Sequence, residues 1–189
     1  MKKTLTLAAL LAAFAAAHAE PATYVIDPMH TSASFEAKHF GLSTIRGRFD
    51  KKEGSVTIDR AAKTGKVQVS IDMNSISTGV PMFDGHLKGE AFFDTAKFPT
   101  TTFVGDQVSF DAAGKVTAVT GQLTLKGKAL PVTLTAISFN CIDHPMLKKE
   151  VCGGDFETLL PRSQFGVSAY PQATPENVRV LIQIEAIKQ

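Results

Sequence analysis

The chain has 189 residues, 44 % of them hydrophobic and 20 % charged, with 20 Lys and Arg against 18 Asp and Glu. That balance excludes a disordered polar chain and gives too small a net basic charge to argue for nucleic acid, while leaving room for a local basic patch. After the first nineteen residues no apolar run approaches the ~20 residues of a membrane-spanning helix.

The amino terminus reads as a secretory signal: Lys2 and Lys3, an apolar run from Leu5 to Ala17, then the small-residue pattern Ala17-His18-Ala19. Cleavage is expected after Ala19, leaving 20–189 as one domain in a periplasmic or secreted protein. Loss of Lys2 and Lys3 leaves 18 basic groups against 18 acidic ones, so the exported chain is neutral. A chain of this size buries roughly 70 % of its unfolded surface, enough for a substantial core.

From Tyr24 onward the apolar period is two. In the first strand Ala33, Phe35, Ala37 and His39 share a face, with Ser34, Glu36 and Lys38 opposite, which points a polar ring at the inside. The bland reading of His39 is a core histidine bonded to a neighbour; the sharper one is a polar contact inside an apolar cavity. Alternation continues through Val56 and Ile58, then Val67, Val69, Ile71 and Met73. From Val80 to Phe93 it lapses, and Pro81, Phe83, Leu87, Phe92 and Phe93 cluster as a short helix and loop over an opening. It resumes at Val108 and Phe110, Leu123 and Leu125, Val132, Leu134 and Ala136, and runs from Val178 to Ala186. Turn signals fall at 51–54, 61–65, 112–114 and 126–128.

Cys141 and Cys152 lie close together in an exported chain, which predicts a disulfide closing a small loop, and the stretch from Cys141 to Gly154 reads as an irregular excursion stapled by it. Seven to nine half-buried strands make either a sandwich or a closed barrel, and local hairpins tilt the choice toward an up-and-down barrel. An eight-stranded barrel is filled by side chains or holds one small ligand.

The sequence contains no G-x-S-x-G, H-E-x-x-H, P-loop or G-x-G-x-x-G motif, so no enzyme, metal or cofactor is expected. The contrary reading rests on His30, His39, His86 and His144, with Asp27-x-x-His30 and Asp84-x-His86 as possible ligand or acid and base pairs. For Asp27 and His30 the simpler account is a hydrogen-bonded turn.

Several ordered fragments resemble the YceI-like periplasmic proteins across nearly the whole mature chain: Tyr24-Val25-Ile26-Asp27 with His30, His39-Phe40-Gly41, Gly47-Arg48-Phe49, Asp84-Gly85-His86-Leu87, Phe92-Phe93-Asp94, Gly121 to Gly127, and Arg162 to Gly166. The resemblance implies a lipocalin-like eight-stranded antiparallel barrel, commonly dimeric, whose internal pocket holds an isoprenoid lipid of quinone or polyprenyl type or a related long-chain amphiphile. Phe83 stands where the family often has an arginine, and Ala91 where an acid is frequent, both beside the opening. The longer segment between the cysteines could narrow or lid the pocket.

A bilayer buries a lipid tail as well as a protein does, so a carrier competes through head-group contacts and a preformed pocket. On that basis Phe35, Ala37, Phe49, Met73, Phe103, Leu123 and Leu125 are expected to line the pocket, and Phe83, Leu87, Phe92 and Phe93 to crown it. His39, Asp84, His86 and Arg162 are the candidate polar contacts, Arg162 weighed equally against a structural role bonding turn carbonyls. The expected partners are a lipid, transiently a membrane or membrane protein, and a second copy of the chain. A ligand-free structural or partner-binding barrel is the remaining alternative.

Overall fold

Alternating apolar residues become eleven antiparallel strands in the computed structural model, which describes residues 20–189; the expected signal peptide lies outside the described residues. They are β1 (Ala22–Ile26), β2 (Ser32–His39), β3 (Ser43–Phe49), β4 (Lys52–Asp59), β5 (Thr64–Asp72), β6 (Ile76–Ser77), β7 (Thr100–Phe110), β8 (Val116–Leu125), β9 (Lys128–Asp143), β10 (Glu150–Pro161) and β11 (Asn177–Lys188). A single described α-helix, α1 (Pro81–Lys88), follows β6.

Eleven strands make eight staves. β11 pairs with β1 at its carboxyl end, through Ile26 and Ala186, and with β2 further up, through Phe35 and Val180. β1 and β2 are therefore two lengths of one bent stave. β3 and β4 form the next, since β3 pairs with β2 and β4 with β1. β6 adds a two-residue patch to β3. The ring runs β4, β5, β7, β8, β9, β10, β11 and back to β1, closed and up-and-down, so every stave has a neighbour on both sides over most of its length and few edges stay free.

Two expected features differ. The turn signal at 51–54 is a bend inside a stave, with Gly54 in β4 opposite Val69 of β5; a Cβ there would overlap the Gln68 carbonyl, so the glycine answers to a close backbone approach. The segment from Cys141 to Gly154 is mostly regular, because β9 runs to Asp143 and β10 starts at Glu150, leaving a short turn between them. Cys141 and Cys152 sit directly opposite each other on those strands and are joined by a disulfide, as their spacing predicts. The Lys126-Gly127 turn has positive φ at both residues (50° and 75°), the two-residue connection whose twist suits a hairpin.

The barrel has unlike ends. Its lower end is shut by Tyr24, Ile58, Cys152 and Ala186, all deeply buried. The upper end carries the 40–42 turn, α1 and the loop after it, and the 162–176 segment. There Ile76, Leu87, Phe92 and Val167 form a separate small core against Phe35, Phe49, Phe83 and Phe93.

Candidate functional site: an apolar barrel cavity

The inward rows enclose a cavity of about 510 Å³ walled mainly by Val, Ile, Leu and Phe, within the 300 to 1,000 Å³ range common for small-molecule pockets. On β11 its wall is Val178, Val180, Ile182, Ile184 and Ala186. Those eight residue steps span about 27 Å of strand, or roughly 20 Å of depth once strand tilt is allowed for. Such a slot suits a long apolar chain.

Phe35, Ala37, Phe49, Met73, Phe103, Leu123 and Leu125 all lie in this wall, as do Phe83, Leu87, Phe92 and Phe93 from the α1 region. Phe35, Phe49 and Phe93 pack with ring centroids 5.9 to 6.5 Å apart, forming an aromatic shelf beneath the opening. The shelf depends on Gly47, the cross-strand partner of Phe35, because any Cβ there would overlap the Phe35 ring.

The polar candidates separate. His39 shares the inward face with Ala33, Phe35 and Ala37, but as the last residue of β2 it stands exposed at the rim, so it is not a core histidine. Its ring meets Phe40 edge-on at 4.8 Å. His86 also lines the mouth, with Phe92 at 4.9 Å, Tyr170 at 5.8 Å and Phe83 at 6.3 Å.

Asp84 is not in the wall. Its Oδ1 accepts from the Thr78 amide at 2.7 Å and the Thr78 hydroxyl at 2.6 Å, tying α1 to the chain entering it. Those bonds hold its carboxyl below the ordinary aspartate range. Arg162 touches the cavity, yet it is buried and its guanidinium donates to four main-chain carbonyls: Pro175 (2.9 Å), Val167 (2.7 Å), Ala169 (2.8 Å) and Thr174 (2.9 Å). Of the two roles weighed for it, the structure displays the bonding of turn carbonyls. It clamps the 162–176 segment that forms one side of the mouth.

Two other clusters of titratable groups lie away from the opening. Asp27 Oδ2 and His30 Nδ1 lie 2.7 Å apart in the exposed bend between β1 and β2, and Asp27 Oδ1 accepts the Met29 amide. The hydrogen bond between them lowers the aspartate and raises the histidine from their ordinary values. At the floor the Tyr24 hydroxyl donates to Glu150 Oε1 at 2.8 Å, and Arg60 donates to the same carboxylate. Burial, then the bond to Glu150, pushes the Tyr24 phenol up to about 12. Burial alone would raise the Glu150 carboxyl; the bonds from Tyr24 and Arg60 outweigh it and lower the net value. Among the described residues one group of three possible metal ligands comes together, Cys141, Glu150 and Cys152, and its sulfurs are already joined to each other. The segment between the cysteines, expected near the pocket opening, stands at this closed floor.

Tyr170 and Phe40 were not among the expected pocket residues, although Phe40 belongs to the His39-Phe40-Gly41 fragment. Both lie in the cavity wall, but each stands in a turn without alternation to mark it. The available signal for Tyr170 was its rarity, since the chain has two tyrosines.

The YceI-like domain matches residues 24–186. A UPF0312 protein of Pseudomonas aeruginosa is 35 % identical over 193 residues, and a protein YceI of Salmonella heidelberg 33 % over 195, each across the full length of both chains. Among solved structures, Burkholderia cenocepacia BcnA superposes with a TM-score of 0.71 at 25 % identity, covering 85 % of this chain and 98 % of that one. A polyisoprenoid binding domain from Saccharophagus degradans shares the fold, with a TM-score of 0.61 at 16 % identity over 88 % of this chain and 98 % of that one. With the domain matched over almost all the described residues and relatives above 30 % identity end to end, this chain belongs to the YceI-like family.

Proposed function

We propose that this protein is a periplasmic carrier or store of an isoprenoid lipid, of quinone or polyprenyl type, or of a similar long-chain amphiphile held in the barrel. The observation that carries this reading is the cavity: about 510 Å³, apolar along its depth, buried at the floor and bordered by exposed side chains at the other end. A chain of methylenes gains about 0.8 kcal/mol each on leaving water for such a slot. The Saccharophagus degradans neighbour, described as polyisoprenoid binding, points to the same ligand class. Of the four polar candidates, His39 and His86 stand at the mouth available to a head group, because Asp84 and Arg162 are engaged elsewhere. No reacting constellation of nucleophile and base converges on the cavity among the described residues, which supports binding over catalysis. Assembly as a homodimer is part of the proposal. Native mass spectrometry of protein isolated from its own host tests the whole reading: a co-purifying long-chain lipid at near unit stoichiometry is expected, and protein repeatedly free of lipid, with an unfilled cavity, defeats it.

A further inference from the structure

We propose that the open end of the barrel is a docking face for an anionic bilayer, into which Phe40, Leu42, Val80, Met82 and Tyr170 insert. The proposal rests on reading the cavity as a lipid pocket and specifies where its cargo enters and leaves.

Three chain segments supply these side chains: the turn between β2 and β3, the start of α1, and the 166–176 loop. They form one rim, since the Phe40 amide donates to the Ala173 carbonyl at 2.8 Å and the Tyr170 ring lies 5.8 Å from His86 of α1. Leu42 and Met82 are each 85 % exposed, and large apolar groups gathered around an opening mark an interaction surface. Phe40 and Tyr170 also hold positive φ, at 49° and 51°. Among the described residues the other non-glycine ones in that region are Lys63, Asp94, Lys126 and Lys148, all polar. A glycine or asparagine would occupy either turn with less strain, so the local fold does not select an aromatic ring at these positions.

Charge identifies the surface they meet. Lys38, Lys88, Lys126 and Lys128 surround this end and form no ion pair among the described residues. Among the acids nearby, Glu36 pairs with Arg46 and Arg179, and Glu90 and Asp94 share Lys97. Asp84 and Glu176 accept hydrogen bonds from the uncharged Thr78 and Ser163 and stay anionic, fewer than the four lysines. Apolar loop tips inside a lysine collar fit the interface of an anionic membrane, where burial and phosphate attraction act together. A lipid tail leaving through this face passes from one apolar phase into another without crossing water. At the closed end, exposed Ile142, Met146 and Leu147 come from a single hairpin region over a buried floor, and Met146 serves as the control position.

The test is flotation of the mature chain with vesicles of phosphatidylethanolamine and phosphatidylglycerol, beside vesicles of phosphatidylcholine alone. Wild type is expected to float with the anionic vesicles, less with phosphatidylcholine, and less as salt rises from roughly 0.1 to 0.5 M. Leu42→Asp with Met82→Asp should lower the bound fraction about ten-fold or more, while Met146→Asp floats like wild type. Equal flotation of the double variant, or an equal loss in Met146→Asp, overturns the docking face, as does a wild type that stays with the soluble fraction and instead requires a protein partner. Extracted lipid is measured on the same preparations. Protein that floats but carries no lipid overturns the pocket reading; protein that is loaded but does not float overturns the docking face.

Discussion

Ala37→Trp should empty the cavity while leaving the barrel standing. Ala37 lies in the wall on β2 opposite Ile45, two positions below the rim residue His39, or about 7 Å of strand. Its level on β11 is near Val178, because the neighbouring inward residue Phe35 pairs with Val180. An indole there lies across the channel above Val180, Ile182, Ile184 and Ala186, cutting off about 15 Å of depth. A tail losing about ten methylenes of burial forfeits roughly 8 kcal/mol, many orders of magnitude in retention. The cost to the fold is smaller: overpacking runs about 1 to 3 kcal/mol, and here the ring enters open space. For a domain of this size that is a melting temperature lower by about 2 to 12 °C. Organic extraction with mass spectrometry and thermal denaturation by circular dichroism, on one preparation, read both numbers. Unchanged lipid per protein in a folded Ala37→Trp variant would refute the placement of the chain in this channel.

Arg162→Met removes four hydrogen bonds and leaves their carbonyls partly unsatisfied; a loss of about 3 to 5 kcal/mol is expected, with hydrogen exchange rising first across 162–176, and a melting point within 1 °C or so of wild type would show that the clamp is not needed. Replacing Cys141 and Cys152 together by alanine opens a link of sequence separation 11; about 3 kcal/mol is the upper expectation for such a loop, read as a shift in urea midpoint. Asp27 and His30 give a signed pH dependence. The raised histidine contributes below the ordinary histidine value and loses this as pH rises through its folded value, while the lowered aspartate contributes above the ordinary aspartate value and loses it as pH falls through its folded value. The pair thus acts in the interval between them; NMR titration of His30 should show a raised midpoint that returns to normal in Asp27→Asn, and an unshifted wild-type midpoint would contradict the bond.

Strand alternation carried most of the fold because it is a local property: Phe35 and Ala37, or Phe103 and Leu123, face inward wherever the strand goes. The helix over the opening was legible for a related reason, since the apolar period breaks between Val80 and Phe93 where α1 lies. What alternation cannot convey is depth along a strand. His39 keeps the inward parity, yet it ends β2 and is exposed, whereas Ala33 on the same row is buried. For Asp84 and Arg162 the sequence leaves the partners open. Asp84 is bonded by the Thr78 amide and hydroxyl, and Arg162, for which turn carbonyls are an equal alternative, bonds carbonyls from Val167 to Pro175; these are contacts within irregular segments that side-chain patterns do not reveal. The bend between β3 and β4 resembled a hairpin for the same reason: a glycine and charges mark both a reversal and a kink.

β11 makes the barrel a container. Its pairs with β1 and β2 join the two ends of the described chain, Tyr24 against Lys188 and Ile26 against Ala186. Until those pairs form, the other staves are an open curved sheet with its apolar face in water, and contacts of such long sequence separation are the slow ones to make. Closure therefore belongs late in folding, after most local hairpins exist. A ligand that fits only the closed ring has no purchase on the species that precede it; it lowers the native state and slows opening without speeding assembly. On the proposed function, a bound lipid would lengthen the lifetime of the β1 and β11 seam even though it comes and goes through the open end.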